Sequence, residues 1–205
     1  MKRHLIAAAV LVAALAALPA RADIVDEWDG VKAPPKPALK EVTVDPKGTA
    51  LLMLDFMKQN CGQRPRCLAT LPAMKTLLGE ARAHKVPVVY SIIANSTIAD
   101  VLPDVAAQAD EPHVLSGPNK FRNTELEKIL KDKGITTVII TGTAANGAVL
   151  QTAVGAVGRG LNVIVPVDGL SSAEAYADLA TVYTFSNAPA LSAKATLTRS
   201  GMIKF

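Results

Sequence analysis

Ile135-Thr-Thr-Val-Ile-Ile-Thr141-Gly-Thr-Ala-Ala-Asn-Gly-Ala148-Val-Leu-Gln-Thr152 runs from an apolar stretch through a turn of small residues into an alanine-rich segment. Ile135 to Thr141 is short, apolar and β-branched, which predicts a buried strand. From about Ala148 to Arg159 the small apolar residues predict a helix, and Leu161 to Val167 forms the next strand. Strand, helix, strand in that order implies two parallel strands joined by a crossover.

The same alternation extends in both directions. Thr49-Ala-Leu-Leu-Met-Leu-Asp55 is continuously apolar up to its last residue, as expected of a strand buried on both faces. From about Arg66 to Lys85, the residues Leu68, Leu71, Met74, Leu77, Leu78 and Ala81 recur at helical intervals. Val86 to Ile93 is a further strand, with Pro87 tolerated at its start. Asn123 to Lys133 is predicted helical, with Gly134 placed to end it. Ala173 to Phe185 reads as a helix and Ala195 to Thr198 as a last strand. The fold class is α/β: a Rossmann-like three-layer sandwich with a mainly parallel sheet of about six strands, spanning 49–205.

Residues 1–22 are read separately. Lys2 and Arg3 precede an apolar run from Leu5 to Leu18 that closes on Ala20-Arg21-Ala22. Its length and the A-x-A ending fit a cleaved signal peptide better than a membrane anchor. Cleavage after Ala22 is expected, with a periplasmic or secreted location and no membrane association afterwards. Losing Lys2, Arg3 and Arg21 lowers the basic residues from 22 to 19 against 18 acidic ones, so the pI of about 9.1 does not signal nucleic acid. Residues 23–48 contain Pro34, Pro35 and Pro37 and are expected to form an extended surface arm, available to wrap the domain or a neighbouring subunit of a homo-oligomer.

Cys61 and Cys67 are the two cysteines of the chain, and in an oxidising compartment they read as a disulfide. A redox pair or two metal ligands are the alternatives. The spacing is not C-x-x-C, and no histidine stands nearby.

In an open parallel sheet, ligands sit outside the carboxyl ends of the strands. Asp55 ends an apolar strand, where a carboxylate is costly unless it is paired or working; the plainer reading is a residue capping the following turn. Lys120, in Ser116-Gly-Pro-Asn-Lys120-Phe-Arg-Asn-Thr124, precedes a helix and in isolation reads as solvated. The small residues between Thr141 and Ala148 make either a tight connection or an anion pocket with donors at the start of the helix.

Taken in order, an Asp at the first strand end, a Lys before a helix, and the pattern G-T-A-x-N-x-(C)-V-x-x-T-A resemble the isochorismatase-like hydrolases, over about Thr49 to Ser172. The resemblance implies that Asp55 is the family's Asp, Lys120 its Lys, and that a cis peptide falls at Thr143-Ala144. It makes Thr143, Ala144, Asn146 and Gly147 the substrate or oxyanion-binding turn. Ala148 occupies the position where the cysteine-hydrolase branch carries its nucleophile, and a methyl group cannot attack a carbonyl. Nicotinamidase-like members bind zinc near the end of the second strand, where this chain has Ala94-Asn-Ser-Thr97, so no metal and no other cofactor is expected. Isochorismatases also lack the cysteine, and their Asp protonates a vinyl ether that water then cleaves. Their intracellular substrate is not one an exported protein meets. The expectation is a hydrolase of a small amide, ester or enol ether that works through Asp55 and Lys120 without a covalent intermediate. A catalytically inactive member binding a small carbonyl or carboxylate compound is the alternative.

Overall fold

The computed structural model of the protein describes residues 23–205. The expected signal segment, 1–22, lies outside the described residues. The chain divides into two units at Pro35 and Lys36. In the first, helix α1 (Ile24–Glu27) starts at Asp23, whose carboxylate accepts a hydrogen bond from the Val25 amide at 2.9 Å.

The second unit holds, in order, strand β1 (Val42–Thr43), β2 (Thr49–Leu54), α2 (Pro65–Leu68), α3 (Leu71–Ala83), β3 (Val88–Ile92), β4 (His113–Leu115), α4 (Leu126–Asp132) and β5 (Thr137–Thr143). There follow α5 (Leu150–Val157), β6 (Asn162–Pro166), β7 (Leu170–Ser171), α6 (Ala175–Asn187), α7 (Pro189–Ser192), β8 (Ala195–Thr198) and β9 (Ile203–Lys204). The main sheet runs β4-β3-β2-β5-β6-β8 with β7 added beside β5, seven strands where about six were expected, and every pairing is parallel. Alternate residues of β2 feed two cores. Ala50, Leu52 and Leu54 pack with α4 and α5 on one face, and Leu51 and Met53 pack with α3 on the other. The result is the three-layer arrangement. No described helix is long and apolar enough to cross a membrane.

Several element boundaries differ from the sequence reading, each for a local reason. The helix expected over 66–85 is broken into α2 and α3, because Pro72 has no amide hydrogen and begins a new helix at its first turn. Asn123 has φ 57, a left-handed conformation that delays α4 to Leu126. Strand β5 continues two residues past Thr141, because Gly142 and Thr143 still pair with Leu170 and Ser171 of β7. A π-helical turn over Ala145–Val149 precedes α5, so Ala148 lies in that turn and does not open the regular helix. The segment 23–48 is not extended arm throughout. Val42 and Thr43 pair in parallel with Ile203 and Lys204, and Val44 is buried, so its second part belongs to the packed body.

Candidate active site

The site is set by the register of three adjacent strands. Leu54 pairs with Ser91 of β3 and with Gly142 of β5, so Asp55 and Thr143, each one residue further on, emerge side by side at the carboxyl edge. The close approach at this point requires a glycine. Gly142 has φ 139, and a Cβ there would stand 2.2 Å from the Leu54 carbonyl oxygen. Asp55 itself adopts φ 56, a conformation that Asp tolerates better than most residues, and this turns its side chain off the end of the sheet.

Asp55 and Lys120 are both buried, and they meet directly. Lys120 Nζ donates to Asp55 Oδ1 at 2.8 Å and to Oδ2 at 2.7 Å, and Ser91 Oγ donates to Oδ1 at 2.6 Å. Among the described groups Oδ2 accepts from Lys120 alone, so it is the oxygen with capacity for a further proton. The pair is 65 residues apart in sequence and needs a rigid loop. Helix α5 supplies it. Thr152 Oγ1 accepts from the Lys120 amide at 3.1 Å and donates to the Pro118 carbonyl at 3.2 Å. One turn along, Gly155 lets the loop lie flat on the helix, since a Cβ there would come within 2.9 Å of Asn119 Oδ1 and 3.0 Å of Phe121 Cδ2.

The turn after β5 is equally constrained. The Thr143–Ala144 peptide bond is cis. Ala145 N donates to Ser172 Oγ at 3.0 Å, Ser172 Oγ donates to Asn146 Oδ1 at 3.2 Å, and the amides of Gly147 and Val149 both point back to the Ala144 carbonyl. Thr143 Oγ1 donates to the Ser171 carbonyl at 3.0 Å and accepts from Arg64 Nη1 at 3.3 Å. Ala148 is 5% exposed and packs in the apolar cluster that includes Ala145, Val149 and Phe121.

Arg64 comes from the loop between β2 and α2. Cys61 and Cys67 are joined by a disulfide across that loop. The Arg64 amide donates to the Cys61 carbonyl at 3.0 Å, and the Cys67 amide to the Arg64 carbonyl at 2.9 Å. Ala94-Asn-Ser-Thr97 forms a capped turn in which the Thr97 amide donates to Asp100 Oδ2 at 2.9 Å, and this bond is the main reason the Asp100 carboxyl is held below its ordinary value. Among the described residues no three His, Cys, Asp or Glu side chains come together as a metal site.

A family model described as the Isochorismatase domain matches residues 49–193. The chain belongs to the isochorismatase family. Comparison with curated proteins gives no significant match. Among solved structures, a cysteine hydrolase from Pseudomonas syringae pv. phaseolicola 1448A is 20% identical, with a TM-score of 0.69 over 82% of this chain and 95% of the other. N-carbamoylsarcosine amidase from Thermoplasma acidophilum is 21% identical, with a TM-score of 0.64 over 74% of this chain and 96% of its own. Nicotinamidase from Bacillus subtilis is 14% identical, with a TM-score of 0.63 over 68% of this chain and 95% of its own. At these identities the likeness is one of fold.

Within this isochorismatase-family domain, the structure brings Asp55 and Lys120 together, and puts Thr143 at the end of β5, the strand beside β2, with Ala144, Asn146, Gly147 and Ala148 in the turn that follows. Sequence reasoning missed Ser91, Gly155, Ser172 and Arg64, and carried Thr152 in the motif without a role for it. Ser91 had a faint signal, a lone hydroxyl inside the apolar run Val-Val-Tyr-Ser-Ile-Ile. The others act through contacts between distant segments that no local pattern announces.

Proposed function

We propose that the protein is an exported hydrolase that cleaves a small amide, ester or enol ether with Asp55 as general acid and base and water as the nucleophile. The observation that carries this reading is the buried Asp55–Lys120 pair, in which Oδ2 of the carboxylate accepts from Lys120 alone. A buried ion pair is weak evidence for stability, since apolar replacements often do as well or better, so its presence at a strand end favours chemistry.

For an amide or ester, Asp55 takes a proton from water as the water oxygen attacks the carbonyl carbon. The tetrahedral intermediate collapses, and the leaving nitrogen or oxygen receives that proton. For an enol ether, Asp55 in its protonated form delivers the proton to the vinyl carbon, water adds to the resulting oxocarbenium ion and returns a proton to Asp55, and the hemiketal then passes its hydroxyl proton to the leaving oxygen as that carbon–oxygen bond breaks, leaving a carbonyl compound and an alcohol. Lys120 holds the carboxylate in place and offsets its charge, and the turn from Thr143 to Ala148 shapes the substrate side. General acid–base help is worth about 10² to 10⁴ in rate, which allows catalysis without a thiol at position 148. The apolar run between Leu5 and Leu18 and the Cys61–Cys67 disulfide support export.

The test is a screen of small amides, esters and enol ethers with the purified protein beside Asp55→Asn. Hydrolysis that falls at least about 10²-fold in the variant is expected. Hydrolysis that persists in Asp55→Asn, or no hydrolysis of any of the three classes by the wild type, contradicts the proposal.

A further inference from the structure

We infer that Arg64 binds a carboxylate of the substrate, so that the molecule cleaved is a small monoanion whose carboxylate lies on the Thr143 side of Asp55. This rests on the hydrolase reading and deepens it. Of the described arginines, only Arg64 and Arg82 are not exposed. Arg82 forms a two-pronged ion pair with Glu111, at 2.8 and 2.7 Å. Arg64 forms no ion pair with any described carboxylate, and its one side-chain bond is a long one to a neutral hydroxyl, Thr143 Oγ1 at 3.3 Å. No Arg64 nitrogen is buried without a partner, so its unused N–H donors stay open to an incoming group, and the five donors form a fixed fork that matches a carboxylate.

Its place is defined by the site. Thr143 and Asp55 each follow directly on a paired residue, Gly142 and Leu54, at the carboxyl edge of adjacent strands. On the other side of Thr143, Ser171 pairs with it in β7 and carries a hydroxyl that is buried yet has no partner among the described residues. Guanidinium and hydroxyl thus flank one residue, and Ser171 Oγ is a second donor for the same anion. The charge matches a single carboxylate. Lys120 is committed to Asp55, which leaves Arg64 as the one uncommitted cation in the cluster, too little for a doubly charged phosphate. The disulfide has a role here. Arg64 lies midway between Cys61 and Cys67, and closing that loop limits where the guanidinium can go before substrate arrives.

The test compares two probes of equal length, succinamate and its neutral analogue succinamide, by titration against the wild type, Arg64→Gln and Ser171→Ala. The wild type is expected to bind succinamate about 10- to 100-fold more tightly, and Arg64→Gln to lose that preference while binding succinamide as before. Ser171→Ala is expected to weaken succinamate binding less than the arginine change does. A second readout needs no variant: succinamate should slow modification of Arg64 by phenylglyoxal, and succinamide should not. The inference is overturned if the wild type shows no preference, whether both probes bind alike or neither binds. It is also overturned if Arg64→Gln keeps the preference, if Ser171→Ala costs more than Arg64→Gln, or if succinamate leaves Arg64 unprotected. Hydrolysis enters none of these readouts. A carboxylate preference without turnover removes the hydrolase reading alone, and turnover with no such preference removes this inference alone.

Discussion

Replacing Lys120 with Met keeps an unbranched apolar stem and deletes the ammonium. The Lys120 side chain is 1% exposed and Asp55 7%, so water does not take the place of the two lost bonds at 2.8 and 2.7 Å. Asp55 is left with the Ser91 hydroxyl as its side-chain donor. Removing one partner of a buried pair costs about 3–5 kcal/mol, and for a domain of this size each kcal/mol moves Tm by about 2–4 °C, so Tm should fall by about 6–20 °C. Asp55→Asn should be destabilising for the same reason, and Asn tolerates the left-handed backbone at that position. The double variant removes both charges and should lose well under the sum of the two single losses. Denaturant unfolding followed by circular dichroism, with the disulfide kept oxidised, gives all four corners of the cycle. A Lys120→Met protein within about 1 kcal/mol of wild type, or a double variant equal to the sum, refutes the reasoning.

Gly142→Ala should be destabilising by about 3 kcal/mol or more, since its Cβ meets the Leu54 carbonyl at a backbone φ of 139; an unchanged unfolding midpoint would contradict this. Gly155→Ala should cost about 1–3 kcal/mol and lower any hydrolytic rate more than a surface change does, because it pushes on the loop that presents Lys120; unfolding and rate assays of one preparation check both. Burial, helped by the nearby Glu111 charge, raises the Tyr90 phenol above its ordinary value. The unfolded chain therefore loses this proton from about pH 10 upward while the folded one keeps it, and stability should fall with pH there. Tyr90→Phe should flatten that fall, at the cost of the 3.0 Å bond to the Val105 carbonyl, and equal slopes in the two proteins would argue against it.

Much of this fold is legible because parallel strands buried on both faces leave apolar runs in the sequence. Thr49 to Leu54 and Val88 to Ile92 are fully buried, and both stand out as such runs. His113 to Leu115 does not, being three residues long with only Val114 buried. The pairing of Val42 with Ile203 brings together opposite ends of the domain and leaves no local trace. Asp55 and Lys120 could be picked out because a charge at a strand end and a motif order are local features. What holds them could not: Ser91 is 36 residues from Asp55, and Thr152 is 32 from Lys120. The π-helical turn at Ala145–Val149 was also hidden, since small residues before a helix fit several turn geometries.

On the proposed function, Asp55, Lys120 and the turn that holds Ala148 form one reactive centre, and a thiol placed at Ala148 tests this most directly. On the proposed reading Ala148 stands at the nucleophile position within reach of the Lys120 ammonium, so the sulfur of Ala148→Cys would be held as thiolate. The measurement is the alkylation rate with iodoacetamide as a function of pH, which separates thiolate formation from access. Val154→Cys, at a site 54% exposed on the next helix, serves as the ordinary thiol. Ala148→Cys should reach half its maximal rate at a pH below that of Val154→Cys, which is expected near the usual thiol value of about 8.5, and adding Lys120→Met should move it back up. A half-maximal pH at or above that of Val154→Cys, or one that Lys120→Met leaves unchanged, would contradict the account.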